Sequence, residues 1–248
     1  MRKLIKYILI LIIIPTLFSC YREENISEVP YIEFRNLSYI PGPSYDSLVL
    51  SFYFEDGNGD VGLFSEETFP PYHPFDFVID SEDSIVTLNS DSKPPFRLIT
   101  PGSGQEQFYS ETDNRAPYNC EDYAIIALGQ TSDAVDTFFI KKNEYHYNLH
   151  LTFLRKINGV YTEVNLETAF GTSNCTISFD GRIPVFDEET LKAKRPVRGT
   201  ITYPMTSGGF PFIFGNDEFK IEFYIYDFEL NKSNVTSTPD LTLLGITK

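Results

Sequence analysis

Tryptophan is absent from this chain of 248 residues, and lysine and arginine together number 20 against 35 aspartates and glutamates. The missing indole counts against a sugar-binding platform. The formal net charge of −15 excludes a nucleic-acid partner, because phosphate binding needs a concentrated basic surface. There is no G-x-S-x-G nucleophile elbow and no glycine loop of the phosphate-cradling type. Ser90-Asp91-Ser92-Lys93 matches S-x-x-K by letters alone, since it lies between prolines without supporting motifs. Helical periodicity is nearly absent. The apolar run Tyr7–Ile14 is far short of the ~20 residues that span a bilayer.

That short run has a specific setting. Arg2, Lys3 and Lys6 precede it, and Leu17-Phe18-Ser19-Cys20 follows. The layout predicts a lipoprotein signal peptide over 1–19, with Cys20 lipidated as the first mature residue and 20–30 a flexible tether. Removing 1–19 leaves 229 residues at a formal charge of −18, so membrane attachment must come from the lipid on Cys20 and not from electrostatic docking. Glu23 and Glu24, just after the cysteine, resemble the acidic export signal of Bacteroidota lipoproteins. They point to the outer membrane and its cell-surface face, with the periplasmic face as the alternative. Cys120 and Cys175 remain as a candidate disulfide in that oxidising compartment, two buried thiols being the alternative.

The mature chain reads as all-β. Leu48–Phe54 alternates with its even-numbered residues apolar, and similar alternation recurs in 121–128, 137–141, 145–154, 176–179, 199–203 and 219–228. Asn158-Gly159 predicts a tight hairpin turn, and residues 187–194 a single helical turn. Between 65 and 118, Pro70, Pro71, Pro74, Pro94, Pro95, Pro101 and Pro117 interrupt the chain, so this stretch is expected to be an elaborated loop. The expected fold is an immunoglobulin-like antiparallel β-sandwich over 31–248 with that Pro-rich insertion; two smaller sandwiches are the alternative. Two segments resemble each other. Leu48–Asp56 and Phe219–Asp227 are both alternating strands that end in an aspartate and enter an Asn-bearing turn. Duplication would produce this, as would the ordinary form of a strand entering a turn.

The strongest chemical pattern is Asp56-Gly57-Asn58-Gly59-Asp60-Val61-Gly62-Leu63. Oxygen ligands recur at every second residue, and Leu63 and Glu67 fall at the eighth and twelfth positions of a helix–loop–helix calcium motif. Asp56, Asn58, Asp60 and Glu67 are therefore candidate ligands of a structural calcium. Val61 departs from the glycine expected at the sixth position, and Phe69-Pro70-Pro71 forbids a second helix, so the site would be a bare loop. A turn rich in Asp, Asn and Gly that needs no ion is the alternative. His146 and His150 alternate with aromatic and aliphatic neighbours, placing both on the polar face of one strand, ~13 Å apart and too far for one metal. His73, in Pro-Tyr-His-Pro, shows no partner in the sequence.

With this loop, and with Asn231-Lys232-Ser233-Asn234-Val235 near the other end, the chain resembles uncharacterised Bacteroidota outer-membrane lipoproteins. These carry a D-G-D-G-D-I-G-type loop after their first long strand. The resemblance implies a surface β-sandwich and supplies no activity. Taken together, the sequence predicts a non-catalytic binding or assembly lipoprotein with a protein partner. The alternatives are a glycan-binding lipoprotein of a nutrient-uptake system, for which Tyr109, Tyr118 and Tyr203 are candidate stacking surfaces, and a hydrolase.

Overall fold

The computed structural model describes residues 26–127, 135–166 and 178–248. The expected signal peptide, Cys20, the start of the tether and Cys175 lie outside them. The described chain is an all-β sandwich with a third sheet inserted. One sandwich layer has the order β1-β2-β10, from β1 (Tyr31–Ile40), β2 (Asp46–Asp56) and β10 (Val197–Ser207). The other has the order β12-β11-β8-β9, from β8 (Leu149–Ile157), β9 (Val160–Glu163), β11 (Phe219–Ile225) and β12 (Thr236–Ser237). Every pairing is antiparallel.

Strand alternation builds the interior. Leu48, Leu50, Phe52 and Phe54 of β2 are buried, as are Phe219, Ile221, Phe223 and Ile225 of β11. Phe52 and Phe223 meet across the layers with ring centroids 5.2 Å apart. The even positions of β2 and the odd positions of β11 thus face one another.

β1 shows no readable alternation because it is bulged. Phe34 pairs with Phe52 and Asn36 with Ser51, so Arg35 is extra and the inward parity switches from Ile32 to Leu37 and Tyr39. The predicted hairpin joins β8 to β9, with Asn158 and Gly159 at φ 52° and 81°, both in the left-handed region that a type I′ turn requires. The predicted helical turn is α1 (Glu188–Ala193), capped by Asp187. A second short helix, α2 (Phe210–Phe214), carries no sequence signal beyond Gly209 and Pro211, and buries Phe210, Ile213 and Phe214 in the core.

Two expectations change. Residues 65–118 are not simply a loop, since they hold β3 (Phe75–Ile79), β4 (Phe96–Ile99) and β5 (Glu106–Ser110). These join β6 (Tyr123–Ala127) and β7 (Val135–Lys142) in a five-stranded sheet of order β5-β4-β3-β7-β6. The prolines sit between the strands, and strands of four or five residues fit between them. This sheet has its own core of Val78, Val86, Phe96, Leu98, Tyr123 and Phe139. The second change concerns residues 145–154. His146 belongs to a 3₁₀ turn at Glu144–His146, capped by Asn143, and only His150 lies on β8. Of the strand expected at 176–179, residues 176 and 177 lie outside the described residues; Ser178 and Phe179 belong to no strand.

The contact between layers supplies a direct check. Phe223→Ala, which empties space opposite Phe52, should lower the unfolding free energy by ~3–5 kcal/mol, read as a lower urea midpoint at unchanged slope.

Candidate metal centre

Four residues beyond the Phe52–Phe223 contact in each strand, the next inward-facing positions after Phe54 and Ile225 are Asp56 and Asp227. The periodicity that builds the core therefore drives two carboxylates into its end. Asp56 and Asp227 are 0% and 1% exposed, and Asp60, on the turn leaving β2, is 5% exposed. Carboxylate oxygens of the three lie within 4.8 Å of one another.

Local structure explains the placement. One oxygen of Asp56, Oδ1, accepts the N–H groups of Gly59 and Asp60 and so closes the turn. Gly59, at φ 71°, leaves no space for a side chain, because a Cβ would stand 2.2 Å from the Arg195 carbonyl oxygen. Asp227 closes its own turn by accepting the Asn231 N–H (2.7 Å) and side-chain amide (2.9 Å). The two turns are tied together where the Phe228 N–H donates to the Asp60 carbonyl at 3.0 Å.

These bonds leave several oxygens unsatisfied. Asp56 Oδ2, both carboxylate oxygens of Asp60 and the amide oxygen of Asn58 are buried without a hydrogen-bond partner. Asn58, 4% exposed, lies in the same turn between the two aspartates. Burying an unpaired carboxylate costs several kcal/mol, and here three crowd together. Burial, then Asp227, Asp56 and Glu229, raises the Asp60 carboxyl from 3.8 to about 7. Burial raises Asp56 to about 6 against the pull of its turn N–H groups, and also raises Asp227. The ammonium of Lys194 feels Asp60, yet it sits at the surface, paired with Glu229 at 2.8 Å. A cation would meet one oxygen from each of the three carboxylates at once, since two ligands at 2.3–2.6 Å from one Ca²⁺ stand at most ~5 Å apart. The donors are all oxygen, which suits a hard divalent ion and not zinc or copper.

Of the four expected ligand residues, Asp56 and Asp60 have carboxylate oxygens within 4.8 Å of one another, Asn58 is buried in the turn between them, and Glu67 does not belong to the group. Asp227 completes the carboxylate triad instead. After Gly62 the chain runs alongside Ile183 and Pro184, with the Leu63 N–H donating to the Ile183 carbonyl at 2.9 Å. Arg182 then holds the Phe64 and Glu67 carbonyls at 3.0 and 2.8 Å. Without a helix after the loop, the twelfth position is carried away from the first. The signal for Asp227 was the matching strand-to-Asp segment at 219–227, whose meaning depends on the two layers facing each other.

The remaining candidates have other surroundings. His73 contacts the Phe75 carbonyl, His146 the Tyr72 carbonyl at 3.0 Å, and His150 both Asp180 and the Tyr147 carbonyl while stacking on Tyr224. Tyr203 donates to the Phe179 carbonyl, while Tyr109 on Phe139 and Tyr118 on Tyr123 belong to one aromatic cluster, because Tyr123 and Phe139 also touch. Cys120 is disulfide-bonded, and Cys175 lies outside the described residues. The chain matches no protein-family model, no curated protein and no solved structure.

The buried aspartates set an unusual pH dependence. With folded pKa values of about 6 and about 7 against the usual 3.8, the folded state binds more protons from about pH 4 up to those values, so stability falls as pH rises across that window and levels off above about 7. In chelator, the unfolding midpoint should therefore drop between pH 5 and pH 8. Asp60→Asn should flatten that slope and raise stability at pH 8 by on the order of 2 kcal/mol. A midpoint that climbs with pH in both proteins would show that ionising these carboxylates costs the folded state nothing.

Proposed function

We propose that this chain is a lipid-anchored, non-catalytic binding or assembly module of the outer membrane, facing the cell surface. Its immunoglobulin-like sandwich is cross-linked at one end by a structural calcium held by Asp56, Asn58, Asp60 and Asp227. The observation that carries the calcium reading is the convergence of three buried carboxylates, of which Asp56 Oδ2 and both oxygens of Asp60 lack hydrogen-bond partners. Their burial favours a structural ion over a catalytic one, because a substrate would need access that residues 0–5% exposed do not offer. The anchor rests on the basic residues, the apolar run and Leu17-Phe18-Ser19-Cys20. A disulfide between Cys120 and Cys175 belongs to the same extracytoplasmic setting.

A calcium cross-link between the ends of β2 and β11 joins the two layers at one end of the sandwich. The ion's binding free energy then adds directly to folding stability. Millimolar calcium should raise the melting temperature by several degrees over the chelated protein, with magnesium less effective. Asp227→Ala, which leaves the 56–60 loop intact in sequence, should abolish that rise. A calcium effect that survives in Asp227→Ala would place the ion elsewhere. For the anchor, Cys20→Ser should move the protein from the detergent-soluble membrane fraction to the aqueous one; retention in the membrane would refute the lipid.

A further inference from the structure

The loop that presents Asp56, Asn58 and Asp60 also holds the N-terminal segment. The Gly57 N–H donates to the Ser27 carbonyl at 2.7 Å, and among the described residues this is the one backbone hydrogen bond from 26–30 to the body of the protein. Contact is close enough that only glycine fits. A Cβ on residue 57 would stand 2.4 Å from the Ile26 carbonyl oxygen and 2.7 Å from that of Ser27. A second thread is electrostatic: Lys194, paired with Glu229, lies in the fields of both Asp60 and Glu28. The segment has few other attachments. Ser27, Glu28 and Val29 are exposed, and Pro30 alone among 26–30 is buried.

Resting on the calcium reading, we propose that the cation site is a clasp, its occupancy deciding whether residues 26–30 are docked on the sandwich or released. Gly57 lies between two ligands, so its N–H is aimed at Ser27 only while the 56–60 turn is held in place. An ion fixes that turn by neutralising carboxylates within 4.8 Å of each other. Without an ion, their mutual repulsion and desolvation favour an opened turn, and a single backbone hydrogen bond worth ~1 kcal/mol cannot hold the segment against it. Released, five residues add up to ~17 Å of contour between the domain and whatever lies N-terminal to it. On the lipid-anchor reading, calcium would set how far the domain stands from the membrane.

The test pairs calcium titration calorimetry with hydrogen-exchange mass spectrometry on the full mature chain, in calcium chloride and in chelator. Peptides covering 26–33 and 54–62 are read. The clasp predicts that calcium binds and slows exchange in both peptides at least tenfold. Asp227→Asn should bind no calcium and keep 26–33 in fast exchange under both conditions. Gly57→Ala, with every ligand intact, should still bind calcium but leave 26–33 fast. Because coupling is reciprocal, its calcium affinity should fall by the same factor as the lost protection. Calcium binding with unchanged exchange at 26–33 would overturn the clasp while leaving the ion site standing. Absence of calcium binding to the wild-type chain would overturn the ion site and the clasp with it.

Discussion

Three carboxylates that share a few ångströms of interior constrain everything around them. Asp56, Asp60 and Asp227 lie at the end of an otherwise apolar core, and charge in that position is tolerated only with a counter-charge or a proton. The chain satisfies one oxygen of Asp56 and both of Asp227 with turn N–H and amide groups, and leaves both of Asp60 bare. The glycines follow from the same constraint. Residues 57, 59 and 62 have no space for a side chain because the loop is wedged against the carbonyls of residues 26–27, 195 and 184. Loop, N-terminal segment, the stretch leading into α1 and the turn after β11 thus form one knot around the triad.

The rest of the molecule is divided by where apolar surface can be buried. The sandwich core is rich in phenylalanine, and Phe52, Phe153, Phe210, Phe214, Phe219 and Phe223 are all fully enclosed. The inserted five-stranded sheet keeps a smaller core, closed by Val86 from the loop that crosses it. Its short strands and proline-bearing connections are compatible because each proline falls where a missing N–H breaks no ladder bond. The two cores use the same rule of alternation at different strand lengths.

Alternation made some elements legible and concealed others. β2, β10 and β11 read clearly because each buries one face along its length, and Asn158-Gly159 read as a turn because few other residue pairs accept two positive φ values. β1 was hidden by the bulge at Arg35, which reverses its parity midway. β3, β4 and β5 were hidden by brevity, since four or five residues between prolines carry too little pattern. His146 was assigned to a strand because its neighbours alternate, whereas the Asn143 cap sets a 3₁₀ turn there.

The sequence by itself determined the all-β class, the inward face of β2 and the spacing of Asp56, Asn58 and Asp60, because these depend on neighbours within a few residues. Which carboxylate would join them was decided only by the tertiary structure. Glu67, eleven residues after Asp56, is led away by pairing with the 183–184 segment, while Asp227, far along the chain, is brought in. The reason is geometric. Phe52 and Phe223 meet across the layers, and four residues further along each strand the same periodicity brings Asp56 and Asp227 into one buried place.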